Sequence, residues 1–276
     1  MSLSLSRNAP RKQSRVDLVH QQSAWASGDY AATGNALQLV SEELCDSVNL
    51  CQDQRVLEVA TGSFHASMAA ARRWCDVTAT DMPSDLNQRG RGRVEAESAG
   101  VRFVDADPEA LPFADQSFDA VVSTFGAMFA LDQERAASEM VRVCRRGRSV
   151  GLANWTPDGF IGQMFGLLGR FVPGAAAGVQ SCAWGTPERL HELFAAYGDV
   201  ETTAKKVVFR ARTPMDWVDK LRSSYAPVVR AFTQIDTPAR HDLRAALLEL
   251  AGRHNRTRDS SLALEADYLE VVVRRR

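Results

Sequence analysis

From Val56 onward the sequence alternates short apolar runs with helical stretches, and this rhythm constrains the fold more than any other feature. VLEVA ends at Ala60 and meets a turn of small residues, Thr61 to Ser63. An Ala-rich helix is expected from about Ala66 to Trp74, then a strand, DVTATD, that stops on Asp81. Leu86 to Ser98 is charged and helical in tendency, although Gly90 and Gly92 each weaken it by ~1 kcal/mol relative to Ala. VRFVDAD from Val101 and FDAVVST from Phe118 supply a third and a fourth strand. Asp132 is placed to cap a helix reaching Cys144, with Glu134 in its first turn where the dipole favours an acid. RSVGLANW from Arg148 reads as the fifth strand. Strands separated by helices at this spacing predict a parallel sheet covered on both faces. In such sheets ligands bind beyond the carboxyl ends of the strands, where the strand order reverses.

The flanks extend this core. Gln21 to Asn49 reads as one or two amphipathic helices, with Leu37, Val40, Leu44 and Val48 as the apolar stripe. Thr156 to Gly185 is rich in Gly and Pro and holds an apolar helix candidate, FIGQMFGLLGRFV. Thr186, Pro187 and Glu188 form a helix start, and VETTAKKVVFRAR from Val200 alternates like a strand. Helices through His254 and a last strand, SLALEADYLEVVV, follow. The expected organisation is a disordered arm over 1–15 and one domain over 16–276. Within it, 50–155 forms the binding core, 156–198 an inserted helical lid, and 199–276 completes the sheet antiparallel.

Composition removes several classes. Lys plus Arg is 33 and Asp plus Glu is 34, so the chain carries no electrostatic footprint for nucleic acid or an anionic membrane. No apolar run approaches the ~20 residues of a spanning helix. MSLSLSRNAPRKQSR is basic and Ser-rich but lacks the apolar centre of a secretory signal. Five scattered cysteines without a CxxC pair suit a reducing compartment, hence a cytoplasmic protein with no metal site.

Three acidic or small-residue features share one spacing. Thr61, Gly62 and Ser63 let backbone amides approach a ligand at a helix start. Asp81 sits 19 residues after Gly62, where an acid accepts from both hydroxyls of a ribose. Asp107, past the third strand, is placed to accept from an exocyclic amine such as that of adenine. Together they point to an adenosine-containing ligand.

VLEVATGS, TATD, FVDADPEALPF, FDAVVSTFGAMFA and RVCRRGRSVGLANWTP together resemble the class I S-adenosylmethionine-dependent methyltransferases. The likeness is to the small-molecule type related to ubiquinone biosynthesis. It extends to QQSAWASGDYAA near the start and ADYLEVVVRR at the end. The resemblance implies a doubly wound, Rossmann-like, mostly parallel sheet of seven strands, S-adenosyl-L-methionine as cofactor, and a small-molecule acceptor. It places Glu58 at the acidic strand end that organises the loop and the cofactor amine. Ala60, Thr61, Gly62 and Ser63 then fall under the methionine part, Asp81 on the ribose, and Met82 against adenine. Asp107 falls on the adenine amine, Ser123 and Thr124 beneath the sulfonium, and Trp25 and Tyr30 on a closing cap.

Two departures stand out. Phe64 replaces the second Gly of the family's loop, so its ring must swing out, shift the loop or fill the cofactor's place. Pro108 removes the backbone N–H usually offered to the adenine ring. Arg146 and Gly147 stand where the family shows a Pro-Gly-Gly turn. These departures keep open an alternative: a methyltransferase-like protein that has lost methyl transfer and catalyses a rearrangement or cyclisation, or acts as a binding partner. His65 is the candidate general base, against a solvent-facing His at a helix start. Glu109 is expected to be solvated. The same holds for the arginines at 142, 145, 146 and 148, taken as a helix end, and for a frayed tail from Arg274. Met128, Phe129, Met164, Phe165 and Phe171 read as core, with an apolar acceptor pocket as the other reading. Methyl transfer to an O, N or C nucleophile of a small, largely apolar metabolite is the expected reaction. Monomer and homodimer both stay open.

Overall fold

The computed structural model describes residues 36–82, 92, 94–95, 97, 100–172 and 177–276. Its seven-stranded sheet has the order β3-β2-β1-β4-β5-β7-β6. β1 (Arg55–Val59), β2 (Asp76–Asp81), β3 (Val101–Asp105), β4 (Phe118–Thr124) and β5 (Cys144–Trp155) pair in parallel. β7 (Leu262–Arg275) joins β5 antiparallel, and β6 (Gly198–Ala211) pairs antiparallel with β7 at the edge. The order reverses between β1 and β4, so the crevice of a doubly wound sheet lies over their carboxyl ends.

Burial on both faces explains the continuous apolar runs of β1 and β4. On one face α1 (Leu37–Ser47) and α2 (His65–Ala71) lie side by side. Leu44 and Cys45 of α1 meet Ala66, Ala69 and Ala70 of α2 over Val56, Val77, Ala120 and Val122. α1 sits close on β5 because Gly151 leaves room: a Cβ there would stand 2.5 Å from Val48 Cγ1. On the other face α3 (Gln133–Val143) packs Ala137, Met140 and Val141 against Leu57 and Val121. Asp132 caps α3 as expected, accepting from the Arg135 N–H at 2.9 Å.

The segment expected as a lid supplies α4 (Phe160–Phe171), α5 (Ala177–Ser181) and α6 (Pro187–Phe194). Thr186 caps α6, with Pro187 in its first turn. Phe160, Met164, Phe165 and Leu168 of α4 are buried in the same cluster as Met128 and the inner side of β5. α7 (Pro214–Ser224), α8 (Ala226–Gln234) and α9 (Thr237–His254) close over α4. Among the described residues no helix is long and apolar enough to cross a membrane.

Several local expectations are corrected. β5 starts at Cys144 rather than Arg148, and Arg146 and Gly147 lie within the strand. The pairing jumps from Phe118–Cys144 to Ala120–Ser149, and Gly147 absorbs the irregularity at φ +72°. Of the arginines expected at a solvated helix end, Arg142 does stand in the last turn of α3, whereas Arg145, Arg146 and Arg148 belong to β5. Arg142 binds Glu139 and Asp115 and donates to the carbonyls of Leu111 and Phe113, loop oxygens that have no ladder partner. Arg145 and Arg148 pair with Asp119. The C-terminal arginines are not frayed either, because β7 runs to Arg275, whose guanidinium reaches the Cys144 carbonyl. α2 ends at Ala71, short of Trp74. The helix expected over Leu86 to Ser98 lies largely outside the described residues.

Candidate functional site

The turn after β1 carries a backbone pattern that its residues alone would not suggest. Ala60, Gly62 and Phe64 have φ of +55°, +53° and +61°, so three alternate positions are left-handed and only one is Gly. The turn is pinned from both sides. The Thr61 N–H donates to the Thr80 carbonyl, and the Phe64 N–H to the Thr61 carbonyl, each at 3.0 Å.

Glu58, buried at the end of β1, gathers four donors. Its carboxylate accepts from the Thr61 hydroxyl at 2.5 Å and from the Ser67 hydroxyl. The backbone N–H groups of Ser67, at 2.9 Å, and Ala66, at 3.3 Å, complete the set. Phe64, at the N-cap of α2, provides no side-chain cap, so Glu58 satisfies the helix start from a neighbouring strand. Burial pushes this carboxyl up to about 7, with the hydrogen bonds from Ser67 and Thr61 acting in the other direction.

Phe64 itself settles which of its alternatives holds. The ring is 1% exposed and lies with Met68, Ala79 and Val94. It meets Phe103 edge-on at 4.9 Å. It therefore fills the seam between α2 and strands β2 and β3 and points into the protein rather than over the turn. A Cβ on Gly62 would meet nothing within 4 Å, so the space above that residue is open.

Asp81 closes the other side. Its Oδ2 accepts from the Gly62 N–H at 2.7 Å and its Oδ1 from the Met82 N–H at 2.8 Å. Each oxygen keeps a further lone pair for a ligand hydroxyl. Burial pushes Asp81 up to about 6, and Asp105 adds to the rise against the pull of the two N–H groups. The Ala106 N–H donates to the Asp81 carbonyl, drawing the end of β3 alongside. Asp107 and Pro108 follow in a turn where the Asp107 carboxylate accepts from the Glu109 N–H at 2.9 Å. Glu109 is not solvated: its buried carboxylate accepts from the Asp132 N–H and braces the start of α3.

Ser123 donates to the Val59 carbonyl at 2.7 Å and accepts from the Ala127 N–H at 2.9 Å, tying β4 to β1. Beside it the Thr124 hydroxyl meets Ser41 of α1 at 3.2 Å. His65 is buried as the first residue of α2, contrary to the solvent-facing alternative, and its Nδ1 lies 3.1 Å from Gln38 Oε1. Trp25 and Tyr30 lie outside the described residues.

Sequence reasoning missed the α1 contribution of Gln38 and Ser41, although both are polar residues flanking the apolar stripe of that helix. It also missed an aromatic wall at the ends of β4 and β5 and beside the middle of β7. Phe125 stacks on Trp155 at 3.6 Å, and Tyr268 meets Phe125 edge-on at 5.6 Å. The signal was an aromatic residue ending each run, STF and ANW. A cavity of about 420 Å³ lined by Arg55, Asp76 and Phe118 lies at the amino ends of the strands, away from all of these groups.

Residues 57–150 match a family model described as a methyltransferase domain. An uncharacterized protein of Mycobacterium tuberculosis is 31% identical over 278 residues, covering 98% of this chain and 99% of the relative. A demethylmenaquinone methyltransferase of Renibacterium salmoninarum is 35% identical over 115 residues, 42% of this chain and 47% of the relative. Among solved structures, the Haemonchus contortus phosphoethanolamine N-methyltransferase 2 in complex with S-adenosyl-L-methionine is similar in fold. It superposes at a TM-score of 0.56 with 16% identity, over 96% of this chain and 59% of that one.

Proposed function

Because the chain belongs to the class I S-adenosylmethionine-dependent methyltransferases, we propose that it methylates an O, N or C nucleophile of a small, largely apolar metabolite. The observation that carries this reading is the junction of Gly62 and Asp81. There a left-handed turn with open space above it is bonded to a half-buried carboxylate that retains acceptor capacity.

The residues fit the cofactor. Ala60 to Ser63 form the cradle for its methionine part, and Glu58 holds that cradle in shape. Asp81 accepts from the ribose hydroxyls, with Met82 beside the adenine. Asp107 faces the adenine amine, and at Pro108 the ring gains no backbone donor. Ser123 fixes the floor under the reacting centre. When bound, S-adenosylmethionine supplies an electrophilic methyl group. The chain contributes mainly by holding the acceptor in line with it, with rate gained from proximity and orientation. His65, held by Gln38, receives a proton where the acceptor is protonated at working pH. The wall of Phe125 and Trp155 supports an apolar acceptor. The alternative of a protein that has lost methyl transfer is not favoured, since of the two departures that motivated it, Phe64 and Pro108, the Phe64 ring lies in the seam below α2.

Calorimetric titration of the full chain with S-adenosylmethionine and S-adenosylhomocysteine tests the reading. Both are expected to bind, and Asp81→Ala is expected to weaken them by ~1.5–3 kcal/mol for each charge-assisted bond lost. Absence of heat and of any melting shift at millimolar ligand would end it.

A further inference from the structure

Among the described residues, two hydrogen-bond donors at the carboxyl end of β5 are buried without an acceptor, the Asn154 amide nitrogen and the Trp184 indole nitrogen. Asn154 follows Ala153, which pairs with Thr124 at the end of β4, and is the last residue but one of β5, close to the strand ends over which the reacting centre lies. Trp184 belongs to a single 3-10 turn, Cys182–Gly185, pressed onto the same strand end. A Cβ on Gly185 would stand only 2.1 Å from the Trp155 carbonyl oxygen. Trp184 belongs to the main apolar cluster, and its ring meets Phe194 edge-on at 5.9 Å.

Buried donors in folded proteins almost always find a partner, because an unmet one forfeits its bond to water without compensation. Replacing either residue by an apolar one of similar shape would remove that cost, yet two such donors occur on elements packed against each other at this strand end. The indole decides the chemistry of the missing partner. Its N–H only donates, whereas an amide can present either end, so the partner must offer a lone pair. An ammonium group or a metal cation does not qualify. A carbonyl, ether or phenolate oxygen does, and the apolar cluster around the indole suits a hydrocarbon ring attached to it.

We propose that Asn154 and Trp184 are specificity-determining residues of the acceptor site, donating hydrogen bonds to a lone-pair oxygen on a hydrophobic, ring-containing substrate. This rests on the methyltransferase reading above and adds to it the class of acceptor. The recognised oxygen need not be the atom that is methylated.

The full chain, saturated with S-adenosylhomocysteine, is titrated with 2-acetylnaphthalene and with 2-isopropenylnaphthalene, a near-isostere in which a methylene replaces the carbonyl oxygen. The ketone is expected to bind at least tenfold more tightly, about 1.4 kcal/mol. The Trp184 indole N–H resonance, assigned by its loss in Trp184→Phe, should move downfield with the ketone and not with the hydrocarbon. In Asn154→Leu the preference should fall at least threefold while the melting temperature rises, because an unmet donor has been removed. Equal affinities, no binding of either probe, or an indole resonance that the ketone leaves in place would overturn the proposal. So would a lower melting temperature in Asn154→Leu, which would assign the amide to a permanently bound water. The S-adenosylhomocysteine titration is read first in the same cell. Its failure would strike the methyltransferase reading itself, while its success with any of the adverse results would strike the acceptor assignment alone.

Discussion

Replacing Phe64 by Gly separates the backbone role of that position from the packing of its side chain. The ring is buried among Met68, Ala79 and Val94 and edge-on to Phe103, so its removal is a core truncation of the kind that costs ~3–5 kcal/mol. Two backbone effects act in opposite directions. Gly adopts the left-handed φ of +61° without the penalty of ~1–2 kcal/mol that a side chain incurs there. Its extra freedom in the unfolded chain costs ~0.5–1 kcal/mol. The net expectation is a loss of ~2–4 kcal/mol. In a domain of this size each 1 kcal/mol moves the melting point by ~2–4 °C, so a drop of roughly 5–15 °C should be visible. Affinity for S-adenosylhomocysteine, titrated well below the variant's transition, should stay within twofold, because the turn keeps its shape and the ring was never over it. Urea denaturation and calorimetry on the same preparation provide both numbers. A tenfold gain in affinity, or unchanged stability, would refute the reasoning and put the ring in the ligand's place.

Gly126→Ala should act on the turn from the opposite side. A Cβ there would lie 2.0 Å from the Ala60 carbonyl oxygen and 2.7 Å from its Cβ, although the Gly126 backbone itself, at φ −97°, suits any residue. Cofactor affinity is expected to fall at least tenfold in titration, and wild-type affinity would show that the position of the turn does not govern binding. The third expectation concerns pH. Asp81, pushed up to about 6, keeps its proton above the ordinary range, so the cofactor-free fold gains stability that is present below 3.8 and lost as pH rises through about 6. Ribose hydroxyls favour the ionised form, so binding should release a proton. Affinity measured from pH 7 to pH 5 should fall with a midpoint near 6, by up to tenfold per unit at the acid end, and Asp81→Asn should flatten that dependence.

The central strands were legible because their evidence is local: apolar runs that stop on Glu58-Val59, Asp81 and Thr124 name both the strand and its functional end. Caps were legible for the same reason, as Asp132 and Thr186 act within three residues of themselves. What was not legible depends on residues far apart in the chain. CRRGR reads as a polar helix end, and only the Asp119 carboxylate and the Gln116 carbonyl on the neighbouring segment make it the start of a strand. Glu109 looks like a solvated loop residue until α3 presents the Asp132 N–H to it. The Phe64 ring had three places to go, and the choice was made by Phe103 and Ala79, 39 and 15 residues away in the sequence. Asn154 and Trp184 carry no pattern at all, since an unmet donor is a property of the packed molecule.

The turn between β1 and α2 has a consequence for exchange between relatives. Its left-handed shape at Ala60 and Phe64 is imposed by Glu58, Thr80 and Asp81 and is not intrinsic to the residues that adopt it. The aromatic side chain in turn occupies a slot that exists because residue 79 is an alanine. ATGSF is therefore not a cassette. Grafted into a homologue with a bulky residue opposite, the same five letters would have nowhere to lodge the ring and would force it toward the ligand. Conversely, a glycine-rich loop brought into this chain would leave a hole beneath α2. Loop and slot form one heritable unit, spread over three separate stretches of sequence, and a change in either is tolerated only with its counterpart.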